Sequence, residues 1–195
     1  MKRIGIYSGT FNPVHAGHIS FALQAIEAAH LDKVYLMPER HNQLKKDVAH
    51  YGHRVAMVRQ AIKPHRQLDL IETTDISFTV DKTLPKLKRQ FNNSRLVFLI
   101  GSDTLKYMPK WPNIERLLSS SELVVGVRAN DEAVVSGLID DLPVKPSKLV
   151  VIDSYAASVS SSKIREALRK SQEAEGILTS VRHYSNKNWL YISLA

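Results

Sequence analysis

The feature that most limits what this chain can fold into is an alternation. Short runs rich in apolar and β-branched residues are separated by segments whose apolar residues recur at helical spacing. Lys2–Ser8 (KRIGIYS) reads as a strand, and residues 17–30 carry Ile19, Ala22, Leu23 and Ile26 on one helix face. Lys33–Met37 is a second strand stopped by Pro38, and Tyr51–Ile62 a second helix. Leu68–Ile71, Arg95–Ile100, Leu123–Val127 and Leu149–Asp153 follow as strands. The helices expected between and after them are Val80–Phe91, Ile114–Leu118, Asp131–Asp140 and Ser160–Lys170, before a less regular tail. Repeated strand–helix units call for a parallel sheet with helices on both faces, an α/β, Rossmann-like doubly wound architecture. At 195 residues a single domain over 1–195 is expected, with a C-terminal helical tail from about residue 160.

Such sheets take ligands outside the carboxyl ends of their strands, at the point where the strand order reverses. Composition narrows the ligand. The chain has no cysteine, which excludes disulfides, thiolate zinc sites and a cysteine nucleophile. Its longest apolar run is Leu96–Ile100, far too short to span a bilayer, so no membrane partner and a cytoplasmic location are expected. Lys plus Arg number 27 against 19 Asp plus Glu, a net charge of +8 that favours an anionic partner or simply keeps a small domain soluble.

The junction after the first strand reads Gly9-Thr10-Phe11-Asn12-Pro13-Val14-His15-Ala16-Gly17-His18. Gly9 permits a tight turn and Pro13 stiffens the loop. His15 and His18 are three residues apart, so on a helical first turn their imidazoles share a face. That face is where unpaired N–H groups and the positive end of the helix dipole gather, which suits an anion. A helix cap or a groove filler would also explain one histidine; two in register behind such a loop favour the anion site. No Gly-Lys-Ser/Thr follows, so this is not a Walker A loop, and the glycines do not fit GxGxxG.

A second helix start reads Ser160-Ser161-Ser162-Lys163-Ile164-Arg165. Serines there cap the helix and offer hydroxyl and backbone donors to a phosphate. Arg165 lies four residues after Ser161, on the same side. Ordinary capping with a solvated arginine is the competing reading.

These two motifs resemble the nucleotidylyltransferase superfamily, with its histidine–x–glycine–histidine loop and late serine-rich turn. Within it, the chain is similar to the bacterial nicotinate-nucleotide adenylyltransferases over almost its whole length. The supporting stretches are His53-Arg54 with Met57, Ser77–Asp81, Gly101-Ser102-Asp103 with Trp111 downstream, Arg128 at a strand end, and Val181–Tyr191. Three positions depart from the pattern. The loop Pro38–Lys46 lacks the proline–histidine–lysine run, Phe78 stands for tyrosine, and Lys82-Thr83-Leu84 holds an extra residue. Asn12 also stands where aspartate is more usual.

The resemblance implies transfer of AMP from ATP to nicotinate mononucleotide, releasing pyrophosphate and giving the deamido dinucleotide of NAD biosynthesis. It implies that Gly9, Thr10, Phe11, His15, His18, Ser160, Ser161, Ser162 and Arg165 bind ATP, with His15 and His18 catalytic. Thr79, Gly101, Asp103, Trp111 and Arg128 would bind the acceptor. Trp111 would stack on the pyridine ring, unless it merely anchors its loop. Lys45 and Lys46 would contact phosphates, unless they are solvated loop charges. Mg²⁺ would arrive on ATP with no protein ligand. A homo-oligomer is compatible with all of this, and no nucleic acid is expected. Two rivals remain: the same chemistry on nicotinamide mononucleotide, phosphopantetheine or a CTP-dependent acceptor, and a nonenzymatic nucleic-acid-binding domain using the basic segment Lys82–Arg89.

Overall fold

A computed structural model of the chain describes residues 1–40, 47–127, 132–153 and 159–192. Six parallel strands form one sheet in the order β3-β2-β1-β4-β5-β6. They are β1 (Lys2–Gly9), β2 (Lys33–Pro38), β3 (Leu68–Leu70), β4 (Ser94–Gly101), β5 (Glu122–Val127) and β6 (Leu149–Asp153). The order reverses between β1 and β4, so their carboxyl ends flank the crevice where such sheets bind ligands.

Strand alternation divides the core in two. In β4, Leu96, Phe98 and Ile100 face one side while Val97 and Leu99 face the other. The first side is covered by α3 (Thr83–Gln90), α4 (Ser102–Leu105), α5 (Ile114–Leu118) and α6 (Glu132–Asp140). The second is covered by α1 (Ala16–Ala29) and α2 (Tyr51–Ile62), whose Phe21, Ala22, Ala25, Met57 and Val58 are buried. The chain ends with α7 (Ser161–Arg169) and α8 (Thr179–Lys187).

The expected strands and helices appear, with three informative differences. α3 begins at Thr83 rather than Val80, with Pro85 in its first turn, where a missing N–H costs no helical bond. The tail is more regular than its polar sequence suggests. α8 buries Val181 and docks on α2, where the Tyr184 hydroxyl meets His53 Nδ1 at 3.0 Å. After β4, the chain turns through α4 and a short 3₁₀ helix (Met108–Lys110) that the sequence reading did not anticipate.

At the opposite end of the sheet, Arg3 forks onto both carboxylate oxygens of buried Glu122 at 3.1 and 2.5 Å. Its Nε donates to the Ala29 carbonyl at 3.0 Å, fastening β1 to β5 and the end of α1. Among the described residues, no helix is long and apolar enough to cross a membrane.

Candidate active site

A cavity of about 780 Å³ opens at the carboxyl ends of β1 and β4, within the range of roughly 300–1,000 Å³ usual for small-molecule sites. Its walls include Gly9–Asn12, His15, Gly17 and His18 from the β1–α1 junction and Ser160–Ser162 with Arg165 from α7. Gly101, Ser102 and Asp103 come from the β4–α4 junction, and Phe78 and Trp111 close it from the side.

The β1–α1 junction folds differently in detail from the sequence expectation. The left-handed turn is made by Phe11 (φ 47°), not by Gly9. Gly9 ends β1, and a Cβ there would sit 3.2 Å from the Phe11 ring, so its bareness lets that ring fold back over the strand end. Phe11 is 3% exposed and packs edge-on to Tyr7, with ring centroids 5.4 Å apart. A similar close approach occurs at Gly126 in the cavity wall, where a Cβ would lie 2.7 Å from Phe21.

His15 is the N-cap of α1, in extended backbone, rather than a residue of its first turn. The two imidazoles nevertheless stack, with centroids 3.7 Å apart and planes tilted by 32°. The His15 N–H donates to His18 Nδ1 at 3.2 Å. Two first-turn N–H groups are engaged within the protein: Ala16 donates to the Gly176 carbonyl at 2.9 Å and His18 to the His15 carbonyl at 3.0 Å. An anion placed at this helix end would therefore meet the imidazoles more than the backbone.

The second motif is fastened directly to the first. Ser160 caps α7, its Oγ accepting from the Lys163 N–H at 3.2 Å. Ser161 Oγ donates to the Pro13 carbonyl at 2.9 Å, and Arg165 Nη1 to the Asn12 carbonyl at 2.8 Å. Arg165 Nη2 donates to Ser162 Oγ at 3.3 Å. Burial lowers the Arg165 pKa from its usual value, yet a guanidinium stays protonated in proteins. Two helix N-termini, two stacked imidazoles and one fixed cation thus meet at one mouth, a strong arrangement for a polyanion.

The other wall is organised by Asp81 and Asn113. Asn113 Nδ2 donates to both Asp81 carboxylate oxygens at 2.9 Å, joining the segment before α3 to the loop carrying Trp111. Phe78 and half-buried Trp111 consequently lie with ring centroids 6.0 Å apart beside the cavity. Thr79 stands next to the cavity wall rather than in it; its N–H donates to Thr83 Oγ1 and its Oγ1 accepts from the Lys82 N–H, a local cap for α3. The adjacent Phe78 lines the cavity instead. Arg128, Lys45 and Lys46 lie outside the described residues.

Two residues with no site role expected from the sequence also shape the site, although Arg54 belongs to one of the stretches that carry the resemblance. Glu39 follows β2 directly and lines the cavity, its Oε1 accepting from Ser8 Oγ at 3.3 Å and the Phe78 N–H at 3.4 Å. An acidic residue at the carboxyl end of β2 is a recognisable signal in this sheet order. Arg54 is 1% exposed and donates to the carbonyls of Thr10 (2.6 Å), Arg40 (2.9 Å) and Ala49 (2.9 Å). Burial lowers its pKa; still charged, it ties the first motif to both flanks of the segment 41–48. Among the described residues, no three His, Asp or Glu side chains cluster as a metal cage would require.

Comparison with known proteins agrees with this geometry. The Cytidylyltransferase-like family model matches residues 6–167. The chain is 33% identical over 201 residues to the nicotinate-nucleotide adenylyltransferase of Bacillus subtilis (strain 168), covering 99% of this chain and 100% of that one. The fold is similar to that of Plasmodium falciparum nicotinic acid mononucleotide adenylyltransferase complexed with NaAD, at TM-score 0.83 and 20% identity with both chains fully covered. The same enzyme complexed with APC superimposes at TM-score 0.81 and 19% identity. On sequence, fold and the residues gathered at the switch point, the chain belongs to the nicotinate-nucleotide adenylyltransferase family.

Proposed function

We infer that the protein transfers the AMP moiety of ATP to nicotinate mononucleotide, releasing pyrophosphate and forming the deamido-NAD dinucleotide. The observation that carries this is the junction of two anion-suited helix starts, locked together by the Ser161 hydroxyl on the Pro13 carbonyl, at the mouth of the switch-point cavity.

An oxygen of the acceptor's phosphate attacks the α-phosphorus, and the bond from that phosphorus to the α–β bridging oxygen breaks. Pyrophosphate leaves with that electron pair. A phosphate monoester is largely dianionic at neutral pH, its second pKa being about 6, so the nucleophile needs no general base. The protein's task is positioning and charge stabilisation. His18 accepts at Nδ1, which assigns its proton to Nε2, a neutral donor for an oxygen on the α-phosphate. His15 stacks behind it and holds its plane. The start of α7, with Ser162 and Arg165, receives the β- and γ-phosphates. Magnesium enters as part of the MgATP substrate and neutralises phosphate charge there. Trp111 and Phe78 present aromatic surface to the pyridine ring, with Gly101 and Asp103 on the same wall. A cytoplasmic setting follows from the biosynthetic role.

The test is pyrophosphate release with MgATP and each of nicotinate mononucleotide, nicotinamide mononucleotide and phosphopantetheine. Rapid release is expected with the first, with the dinucleotide recovered as product. Release with phosphopantetheine alone would keep the chemistry and overturn the acceptor.

A further inference from the structure

The loop carrying the histidines is held from behind by the far end of the chain. Tyr191 is partly buried, in left-handed backbone (φ 64°), and its hydroxyl lies 2.8 Å from Asn12 Oδ1. The Asn12 side chain has no freedom left. Its Oδ1 also accepts from the Ala49 N–H at 3.1 Å, and its Nδ2 donates to the Asp47 carbonyl at 3.1 Å. These two backbone partners assign the amide orientation, so the Tyr191 hydroxyl must be the donor. The Asn12 carbonyl, in turn, receives the Arg165 guanidinium. One residue of the first motif thus joins the C-terminal tail, the flank of the segment 41–48, and the cation of the second motif.

We propose that Tyr191 is a positioning residue for the transfer reaction, acting through Asn12 to set the main-chain path on which Arg165 is anchored and from which His15 and His18 project. Burial raises the phenol's pKa well above its usual value, so it remains a donor throughout the working pH range. A loop displaced by even about 1 Å from its productive geometry costs on the order of a hundredfold in rate. Tyr191 is not on the cavity wall; its removal is expected to lower kcat and leave the KM for the acceptor unchanged.

This rests on the adenylyl-transfer reading, for which wild-type turnover is the separate control. The experiment is a double-mutant cycle on kcat, with Tm recorded for each protein. Tyr191→Phe keeps the ring and removes only the donor. It is expected to lower kcat about tenfold in the wild-type background and less than twofold in Asn12→Ala, where its partner is gone. Equal losses in both backgrounds overturn the proposal, because Tyr191 would not then act through Asn12. A lowered Tm with kcat per folded molecule unchanged also overturns it, since the role would be structural alone.

Discussion

His15 and His18 stack at 3.7 Å between ring centroids while the His15 N–H donates to His18 Nδ1. The same pair caps α1 and aims a defined imidazole donor at the cavity. Because the cap bond fixes both tautomer and plane, His18→Ala would remove the charge-stabilising contact proposed for the transfer. We expect kcat to fall by about a hundredfold or more, equivalent to roughly 3 kcal/mol of barrier, with the fold retained. His18→Gln, which can still donate, is expected to recover part of that loss. Steady-state kinetics with circular dichroism on each variant checks both.

Trp111 faces the cavity beside Phe78, held there by the Asp81–Asn113 link. Trp111→Ala is expected to raise the KM for the acceptor about tenfold, as loss of one base–aromatic stack does, and to leave the KM for ATP unchanged. The chain has two tryptophans, and Trp189 is 77% exposed. In Trp189→Phe, the remaining indole fluorescence should therefore change on adding the acceptor and not on adding ATP alone. Loss of ATP affinity in Trp111→Ala would contradict this assignment.

Arg3 and Glu122 lie at the amino ends of the strands, away from the chemistry. Glu122 is 6% exposed, and its removal leaves a partly buried guanidinium without its counter-charge. Glu122→Ala is expected to cost about 3 kcal/mol of unfolding free energy in urea titrations, with kcat per folded molecule unchanged.

Asp75 offers a pH test. The Lys86 ammonium, hydrogen-bonded at 2.5 Å, holds its carboxyl below the usual carboxylate range, and Thr83 donates to its other oxygen at 2.9 Å. A depressed folded-state pKa means this stabilisation is complete above the ordinary value of about 4 and disappears as the pH falls through the folded value. Asp75→Asn should lower stability near neutral pH by about 1 kcal/mol, limited by the exposure of Lys86. It should also flatten the acid limb of the stability curve below about pH 4.

Much of this was legible in the sequence because the signals were local. β4 could be read from five successive apolar residues, and α2 appears over Tyr51–Ile62 as its periodicity required. The His15–His18 spacing and the Ser160–Arg165 turn each point to an anion site within a few residues. What escaped depends on contacts between distant segments. Nothing near Tyr191 announces its bond to Asn12, 179 residues away. Arg54 looks like an ordinary helix residue until Thr10, Arg40 and Ala49 are brought around it. Thr79 carries the right chemistry for a ligand contact, but its hydroxyl oxygen accepts the Lys82 N–H while its own N–H goes to Thr83 Oγ1. α8 has few apolar residues, and its helix is justified only by docking on α2.

The central claim is that the acceptor phosphate attacks the α-phosphorus of ATP held between the two helix starts. It is tested most directly by following label from ATP carrying ³²P at either the α or the γ position, with nicotinate mononucleotide as acceptor. The expected result is α-label in the dinucleotide and γ-label in pyrophosphate, both slowed about a hundredfold or more in His18→Ala. Transfer of γ-label to the acceptor, or unchanged α-transfer in His18→Ala, would contradict the account.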